Sequence, residues 1–402
     1  MKKKTGSKQG RRPGFGTIAV HGGEEGKFPF GPASTPIYQT STFTFDSAAE
    51  GGEVETGQRE GFIYTRVGNP TLRAFEEKMA LLEEGASCVS FSSGMAALSA
   101  IFLEILRPGD EVISSAHIYG GSKLFFAHNL RKLGCRVKRF RPYDDLEKVI
   151  PSLVTQKTRL IFFETPSNPE LSIIDMGLIA VMAKKHGLFS VVDNTFAPPY
   201  LQKPMRAGID CVVHSATKYI GGHGDAIGGA VVSSKEFLAG LRSNMLQNLG
   251  GCLSPFNAWL FLRGLKTLHI RMERHCRTAA VVADFLTGHP KVETVLFPGL
   301  RSHPGHRIAK RQMSAFGGMV SLRLQNGKAC RKFIDGLRLC RTGVSLGDAG
   351  TLTLHFASLF HPKLTDAACR RIGVDPALIR MSIGLEDPED IIEDLNDALA
   401  PL

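Results

Sequence analysis

A lysine and an aspartate at the ends of two apolar runs are the first candidates for chemistry. Lys218 comes shortly after an apolar run at residues 211–214, and Asp193 directly follows a run at residues 189–192. Lysine is almost never buried without a partner, and burial can lower the pKa of its amine until it becomes a nucleophile. A carboxylate placed like Asp193 also needs a cationic partner. The two residues therefore predict either a structural ion pair or a reactive amine close to a carboxylate.

A short polar segment and a tyrosine supply the other parts of a possible site. Ser92-Ser93-Gly94-Met95 lies between an apolar run at residues 87–91 and a predicted helix. Backbone N–H groups at the start of a helix attract phosphate, although plain helix capping also explains such a segment. Ser215 and Thr217 can add hydroxyl donors, and Tyr119 can add an aromatic face. A phosphate site, a reactive lysine, a buried carboxylate and an aromatic face together describe a pocket for pyridoxal phosphate.

These residues are positioned by a predicted α/β fold. Short apolar runs that alternate with helical segments indicate a mostly parallel sheet with both faces covered. The predicted strands are residues 87–91, 111–115, 136–140, 159–163, 189–192 and 211–214, and the predicted helices include 72–82, 95–106, 122–133 and 177–186. Because ligands bind beyond the carboxyl ends of parallel strands, we expect the polar residues that follow these strands to share one crevice.

The two ends of the chain differ from this pattern. Residues 1–60 are predicted to be irregular. The first helix of the regular pattern, at residues 72–82, is predicted to end at Gly85 as its C-terminal cap. Beyond Leu262 we expect a smaller α+β domain, entered through one long helix over residues 259–286. The predicted organisation is a basic tail and N-terminal arm at residues 1–65, a large domain at 66–262 and a C-terminal domain at 263–402.

Composition restricts the class of protein. The 402 residues are 43% hydrophobic and 22% charged, which is typical of a globular chain of two or three domains. No stretch is apolar enough to predict a membrane span, and no histidine or cysteine cluster has metal-ligand spacing. The cysteines form no CxxC pair, which indicates free thiols and hence a protein of the cytoplasm. The net charge of +11 indicates either a solvated surface or attraction to anions, including nucleic acid.

Several sequence motifs resemble those of the pyridoxal-phosphate-dependent enzymes of cysteine and methionine metabolism, the trans-sulfuration family. They are Tyr64-Thr65-Arg66-Val67-Gly68-Asn69-Pro70-Thr71, Ser92-Ser93-Gly94-Met95, Val192-Asp193-Asn194-Thr195, His214-Ser215-Ala216-Thr217-Lys218-Tyr219 and Arg380-Met381-Ser382-Ile383-Gly384-Leu385-Glu386-Asp387. The resemblance extends from Thr17 to Leu399. It implies the aspartate-aminotransferase-like fold (fold type I), pyridoxal 5'-phosphate as cofactor and an amino acid as substrate. It also implies a homodimer or homotetramer, without nucleic acid or membrane as partner.

The same resemblance implies a role for each candidate residue. Lys218 would carry the cofactor and move protons, Asp193 would pair with its ring nitrogen, and Tyr119 would stack on the ring and assist the leaving group. The cofactor phosphate would be held by Ser93, Gly94, Met95, Ser215 and Thr217, and from a neighbouring subunit by Tyr64 and Arg66. The substrate carboxylate would be held by Arg380, Ser345 and Asn168, with Val344 near the substrate side chain.

The residue at position 344 favours γ-elimination of methionine. By resemblance, cystathionine γ-lyases tend to have an acid there, whereas Val344 suits an apolar thioether, as in methionine γ-lyases. We therefore expect conversion of L-methionine, homocysteine or cystathionine to 2-oxobutanoate, ammonia and a thiol. Gly121, where methionine γ-lyases have a cysteine, and Leu246-Gln247, where they have Lys-Asp, leave γ-replacement open. Such an enzyme would be an O-acetylhomoserine or O-succinylhomoserine sulfhydrylase or a cystathionine γ-synthase, and a non-catalytic anion- or nucleic-acid-binding protein is a remote alternative.

Overall fold

In the computed structural model, which describes residues 12–24 and 28–402, the strands form two sheets. The larger sheet contains β1 (Ser87–Phe91), β2 (Glu111–Ser115), β3 (Arg136–Phe140), β4 (Thr158–Glu164), β5 (Phe189–Asp193), β6 (Cys211–Ser215) and β7 (Gly229–Ser233), in the spatial order β1-β7-β6-β5-β4-β2-β3. Strand β7 pairs antiparallel with β1 and β6, whereas the pairs from β6 to β3 are parallel. The predicted mostly parallel sheet is confirmed, and it contains one strand, β7, that was not predicted.

Helices cover both faces of the larger sheet. The helices of this part of the chain are α1 (Phe15–His21), α2 (Ala48–Glu55), α3 (Pro70–Glu83), α4 (Gly94–Ile105), α5 (Gly120–Phe125), α6 (Leu146–Leu153), α7 (Met176–His186), α8 (Lys235–Gly240), α9 (Gln247–Leu249) and α10 (Pro255–Lys266). A π-helical turn follows α5 at Phe126–Leu130 and another follows α8 at Leu241–Leu246. Neighbouring residues of β4 face opposite ways: Phe162 packs edge-on against Phe102 of α4, while Phe163 belongs to the core on the other face. This alternation explains why the strand is apolar throughout.

The smaller sheet lies in the C-terminal part of the chain. It contains β8 (Thr294–Leu296), β9 (Met319–Arg323), β10 (Arg341–Thr342), β11 (Leu352–His355) and β12 (Leu378–Ser382), in the order β10-β11-β12-β9-β8. The helices of this part are α11 (Leu268–Gly288), α12 (His306–Gln312), α13 (Gly327–Gly336), α14 (Phe356–Phe360), α15 (Asp366–Arg371) and α16 (Pro388–Leu399). Helices α11, α13 and α16 bury apolar side chains against the sheet. The predicted smaller α+β unit is confirmed, and the exact domain boundaries stay a prediction.

Two predictions about the extent of helices were wrong. Residues 1–60 are not irregular throughout, because α1 buries Ala19 completely and α2 begins with Ser47, whose hydroxyl accepts the Glu50 N–H at 3.1 Å. Residues 259–286 form parts of α10 and α11 and not one helix. Thr267 separates the two helices: its φ and ψ are −111° and 8°, and its hydroxyl donates to the Gly264 carbonyl at 3.3 Å. The cations that precede Arg12 lie outside the described residues.

Gly85 does not end α3 as its cap. The left-handed residue is Glu84, with φ of 62°, and its carboxylate contacts Arg12, Lys203 and Arg206. These ion pairs accompany a conformation that glycine would adopt more readily. Gly85 has another function: a Cβ at this position would overlap Val232 of β7. The glycine therefore allows the close approach of the chain to the sheet.

Candidate active site

The carboxyl ends of the parallel strands bring the predicted residues together. Glu164 and Asp193, the last residues of β4 and β5, are register partners. Ser215 ends β6, and a Cβ on Gly94, the first residue of α4, would lie 2.8 Å from the Ser215 Cβ. The backbone N–H of Tyr119 donates to Glu164 Oε1 at 2.7 Å. The crevice expected from the order of strands is therefore present.

Lys218 presents a partly buried amine that is not part of an ion pair. The residue lies in the turn after β6, where its N–H donates to the Ser215 carbonyl at 3.1 Å. Its Nζ donates to Ser345 Oγ at 2.9 Å, and no carboxylate of the described residues lies within ion-pair distance of it. Burial, together with the positive charge of Arg380, lowers the pKa of the amine to about 8. The structural ion pair between Lys218 and Asp193 was a wrong alternative, and the arrangement favours a reactive amine.

Arg380 on β12 forms a guanidinium site beside the lysine. Its side chain is buried and donates to Asn168 Oδ1 at 3.2 Å and to the carbonyls of Val344 and Ser345 at 3.1 and 2.9 Å. The Nε atom has no partner among the described residues. Burial lowers the pKa of this guanidinium to about 10, so that it stays charged. A buried cation with a free N–H and no carboxylate partner suits an anionic ligand such as a carboxylate.

Asp193 and Glu164 form a pair of neighbouring carboxyl groups. Glu164 is 4% exposed, and burial and the charge of Asp193 raise its pKa well above the usual range. Burial also raises the pKa of Asp193, although Oδ1 accepts the Thr195 N–H at 3.0 Å. Two adjacent carboxyl groups disfavour double ionisation. The neutral form of Glu164 therefore allows Asp193 to carry a negative charge toward a cationic ligand.

The first turn of α4 lies against the hydroxyl residues that follow β6. Ser93 Oγ accepts the Ala96 N–H at 3.0 Å, so the side chain caps the helix as the simpler interpretation predicted. Ser215 N–H donates to Thr195 Oγ1 at 2.9 Å, and Thr217 Oγ1 accepts the Gly228 N–H at 3.1 Å. Met95 is partly buried in the same turn as Gly94. The helix start and Ser215 thus bring N–H and O–H groups together, as a phosphate requires. The Thr217 hydroxyl donates to the Gly228 carbonyl at 3.3 Å in this structure.

Tyr64 and Arg66 form a separate group in this chain. The guanidinium carbon of Arg66 lies 5.3 Å from the centre of the Tyr64 ring, which is 41% exposed. The structure gives no hydrogen bond or ion pair, within the described ranges, between either residue and Lys218 or Ser215. Tyr64 and Arg66 are therefore expected cofactor residues that, within one chain, have no such bond to the site.

Sequence reasoning gave no role to two residues that contact the site. Glu164 was expected only as one of the polar residues that follow the strands, although it ends an apolar run just as Asp193 does. Phe356 on α14 lies with its ring centre 5.5 Å from the guanidinium carbon of Arg380, which is cation–π distance. No local pattern indicates that contact, because β12 brings Arg380 to Phe356 from a later part of the chain.

No cluster of the described residues could hold a metal ion, and no described helix is long and apolar enough to span a bilayer.

The chain is similar in sequence and in structure to known proteins. The family model for the Cys/Met metabolism PLP-dependent enzymes matches residues 16–400. The chain is 44% identical to L-methionine gamma-lyase of Fusobacterium nucleatum subsp. polymorphum over 392 residues, 97% of this chain and 98% of the relative. It is 42% identical to cystathionine gamma-synthase of Mycobacterium leprae over 392 residues, 96% of this chain and 97% of the relative. The crystal structure of metB from Corynebacterium glutamicum superposes with a TM-score of 0.90 at 39% identity, covering 97% of this chain and 98% of the other.

Proposed function

Because the chain belongs to the Cys/Met metabolism PLP-dependent enzyme family, we propose that it catalyses γ-elimination of L-methionine and related sulfur amino acids. The products are 2-oxobutanoate, ammonia and a thiol. The observation that carries this proposal is the Lys218 amine, which has a pKa of about 8 and hydrogen-bonds Ser345 next to the buried guanidinium of Arg380. The predicted fold type, family and pyridoxal phosphate cofactor are confirmed by the family match and by the similar solved structures.

The residues of the crevice fit pyridoxal phosphate. Lys218 offers an amine that is an uncharged nucleophile above about pH 8. Asp193 offers an anion for the ring nitrogen, supported by the raised pKa of Glu164. The α4 N-terminus, with Ser93, Gly94 and Met95, and the hydroxyl groups of Ser215 and Thr217 would hold the phosphate. When bound, pyridoxal phosphate withdraws electrons from the substrate α-carbon, which makes its proton removable.

The protein side chains would bind the substrate and transfer its protons. Arg380 would bind the substrate carboxylate through its free Nε–H, with Asn168 and Ser345 fixing the position of the clamp. The Lys218 amine would take the proton from the substrate α-carbon, because it is uncharged above about pH 8 and lies beside Arg380. Tyr119 would cover the cofactor ring and donate a proton to the departing sulfur. Val344 would contact the apolar thioether.

A second candidate is γ-replacement, in which a thiol adds where the first leaving group has departed. It is supported by the cystathionine gamma-synthase relative and by the partial mismatch at Gly121, which distinguishes this chain from methionine γ-lyases. Specificity constants for methionine, for cystathionine, and for O-acetylhomoserine with sulfide would distinguish the two. The higher constant for methionine is expected, and a higher constant for O-acetylhomoserine with sulfide would contradict our assignment.

We also propose a homodimer or homotetramer in the cytoplasm. The exposed pair Tyr64 and Arg66 would reach the phosphate of a neighbouring subunit; Tyr64 belongs to the proposed arm at residues 1–65, and Arg66 begins the large domain directly after it. The cysteines of the described ranges are free thiols, which is typical of a reducing compartment.

Replacing the lysine tests the proposed function directly. Lys218→Ala should abolish release of 2-oxobutanoate from methionine, because it removes the amine that hydrogen-bonds Ser345 next to the Arg380 guanidinium. Lys203→Ala is a suitable control, since Lys203 pairs with Glu84 at the end of α3. Full turnover by Lys218→Ala would refute the proposal.

A further inference from the structure

Tyr64 and Arg66 lie in a tight turn of the chain, residues 64–68. The N–H groups of Val67 and Gly68 both donate to the Tyr64 carbonyl, at 2.9 and 3.1 Å. These main-chain bonds fix the shape of the turn. They do not fix its place on the large sheet, which requires bonds to more distant parts of the chain.

Arg242 connects this turn to the large sheet. It lies in the π-helical turn Leu241–Leu246, and its Nη1 donates to the Val67 carbonyl at 3.0 Å. Its Nη2 donates to Glu76 Oε2 at 2.5 Å. The other oxygen of Glu76 accepts the N–H and the hydroxyl of Ser90 on β1, at 2.8 and 2.7 Å. One guanidinium therefore ties the turn to α3 and, through α3, to the strand that precedes α4.

Packing contributes little to the position of the turn. Val67 and Gly68 border a cavity of about 620 Å³, and Arg242 and Glu76 lie on its wall. Groups beside a cavity lack the close contacts that hold a core side chain in place. The Glu76 side chain is 10% exposed, so water competes little with the ion pair. We therefore expect the bonds of the Arg242 guanidinium to determine where the turn lies.

We propose that Arg242 is a positioning residue: through the Val67 carbonyl it places Tyr64 and Arg66 of its own chain at the phosphate site of a neighbouring subunit. The inference rests on the function and the shared site proposed above. Because Arg66 and Val67 are joined by a planar peptide bond, a shift of Val67 moves the Arg66 backbone. Arg242 thus serves the site of the neighbouring subunit and not the site that contains Lys218 of its own chain.

A matched pair of arginine variants tests this role. Arg242→Met removes the guanidinium and keeps an unbranched stem. In the control, Arg274→Met, the lost guanidinium also donates to a carbonyl and a carboxylate, those of Glu386 at 2.9 Å and Asp387 at 2.6 Å, and its side chain is 27% exposed against 30% for Arg242. Arg242→Met should bind pyridoxal phosphate about tenfold more weakly, as expected for loss of a charged hydrogen bond, and Arg274→Met should keep wild-type affinity.

Hydrogen exchange provides a measurement that needs neither cofactor nor turnover. In cofactor-free protein, the Val67 amide should exchange faster in Arg242→Met than in the wild type, because the turn is less firmly held. Arg274→Met should leave its exchange rate unchanged. Wild-type cofactor affinity or wild-type exchange in Arg242→Met, or equal changes in both variants, would overturn the proposal.

Mixed dimers show which site Arg242 serves. The activity of each refolded mixture would be compared with the average of its two variants refolded alone, at a pyridoxal phosphate concentration that saturates the wild type but not Arg242→Met. The mixture of Arg242→Met with Lys218→Ala should exceed this average, because one site of each mixed dimer combines a native Lys218 with a correctly placed Arg66. The mixture of Arg242→Met with Arg66→Ala should only equal it, because no site has both.

The reverse pattern would assign Arg242 to the site of its own chain. A gain with Arg66→Ala and not with Lys218→Ala would therefore overturn the proposal, and so would a gain in both mixtures or in neither. Failure of the proposed function has a different signature, namely continued turnover by Lys218→Ala.

Discussion

At the scale of single residues, burial determines the protonation states on which the site depends. Lys218 and Glu164 are both shifted toward their uncharged forms, whereas the Arg380 guanidinium stays charged because its pKa starts so high. Water is a better solvent for ions than the protein interior, which explains the direction of each shift. The site thus combines an amine that is uncharged above about pH 8 with a lasting cation, which is suitable for binding an amino acid by its carboxylate.

The lowered pKa of Lys218 predicts the pH dependence of cofactor capture. Above about pH 8 the amine is uncharged and nucleophilic, whereas an ordinary lysine reaches that state only near 10.5. The rate at which cofactor-free protein binds pyridoxal phosphate should therefore rise with pH and level off just above 8, as followed by stopped-flow absorbance. In Arg380→Gln, loss of the neighbouring cation should raise the lysine pKa and move the plateau to higher pH. A wild-type rate that still rises near pH 10 would contradict this assignment.

Glu164 is expected to act through its hydrogen bond and not through a charge. Glu164→Gln keeps an oxygen for the Tyr119 N–H and should retain cofactor affinity. Glu164→Ala removes the acceptor of the Tyr119 N–H, a hydrogen bond that contributes about 0.5–1.5 kcal/mol, and should bind pyridoxal phosphate more weakly in equilibrium titrations. Glu111→Ala is the control, because Glu111 is buried at the opposite end of β2 and pairs with Lys138. Equal affinity in both alanine variants at the wild-type level would argue against the role of Glu164.

At the scale of helices and strands, the start of α4 should serve both stability and phosphate binding. Removal of an N-cap hydroxyl costs about 1 kcal/mol of folding stability. Ser93→Ala should lower the free energy of unfolding by about this amount and should also weaken pyridoxal phosphate binding. Ser254→Ala removes the cap of α10, where the hydroxyl accepts the Asn257 N–H at 3.4 Å. This variant should lose stability in denaturant titrations without losing cofactor affinity, and an equal loss of affinity in both would contradict a phosphate site at α4.

The sequence was informative where a local pattern determines the structure. Apolar runs followed by polar residues located Asp193 and the Lys218 turn, because a parallel strand is buried throughout and ends at the ligand. Contacts between distant parts of the chain were not predictable in this way. The left-handed conformation of Glu84 accompanies ion pairs with Arg12 and with residues from beyond β5, and Phe356 meets Arg380 only through the fold of the smaller sheet.

At the scale of the whole molecule, a complete phosphate site is expected only in an assembly. Tyr64 and Arg66 are connected to each other in the chain and not to the Lys218 turn. We expect Arg66→Ala and Lys218→Ala to be inactive alone and to regain activity when the two proteins are unfolded and refolded together. Mixed dimers would then contain one site with both native residues. The control is each variant refolded alone, and a mixture without recovered activity would contradict a site shared between subunits.

Covalent attachment of the cofactor to Lys218 is the central claim, and peptide mapping tests it most directly. Purified holoenzyme would be reduced with borohydride, digested and analysed by mass spectrometry. We predict that the yellow colour disappears and that the peptide containing Lys218 carries the reduced pyridoxyl phosphate group. A colourless protein, or a label on another lysine with Lys218 unmodified, would contradict the account.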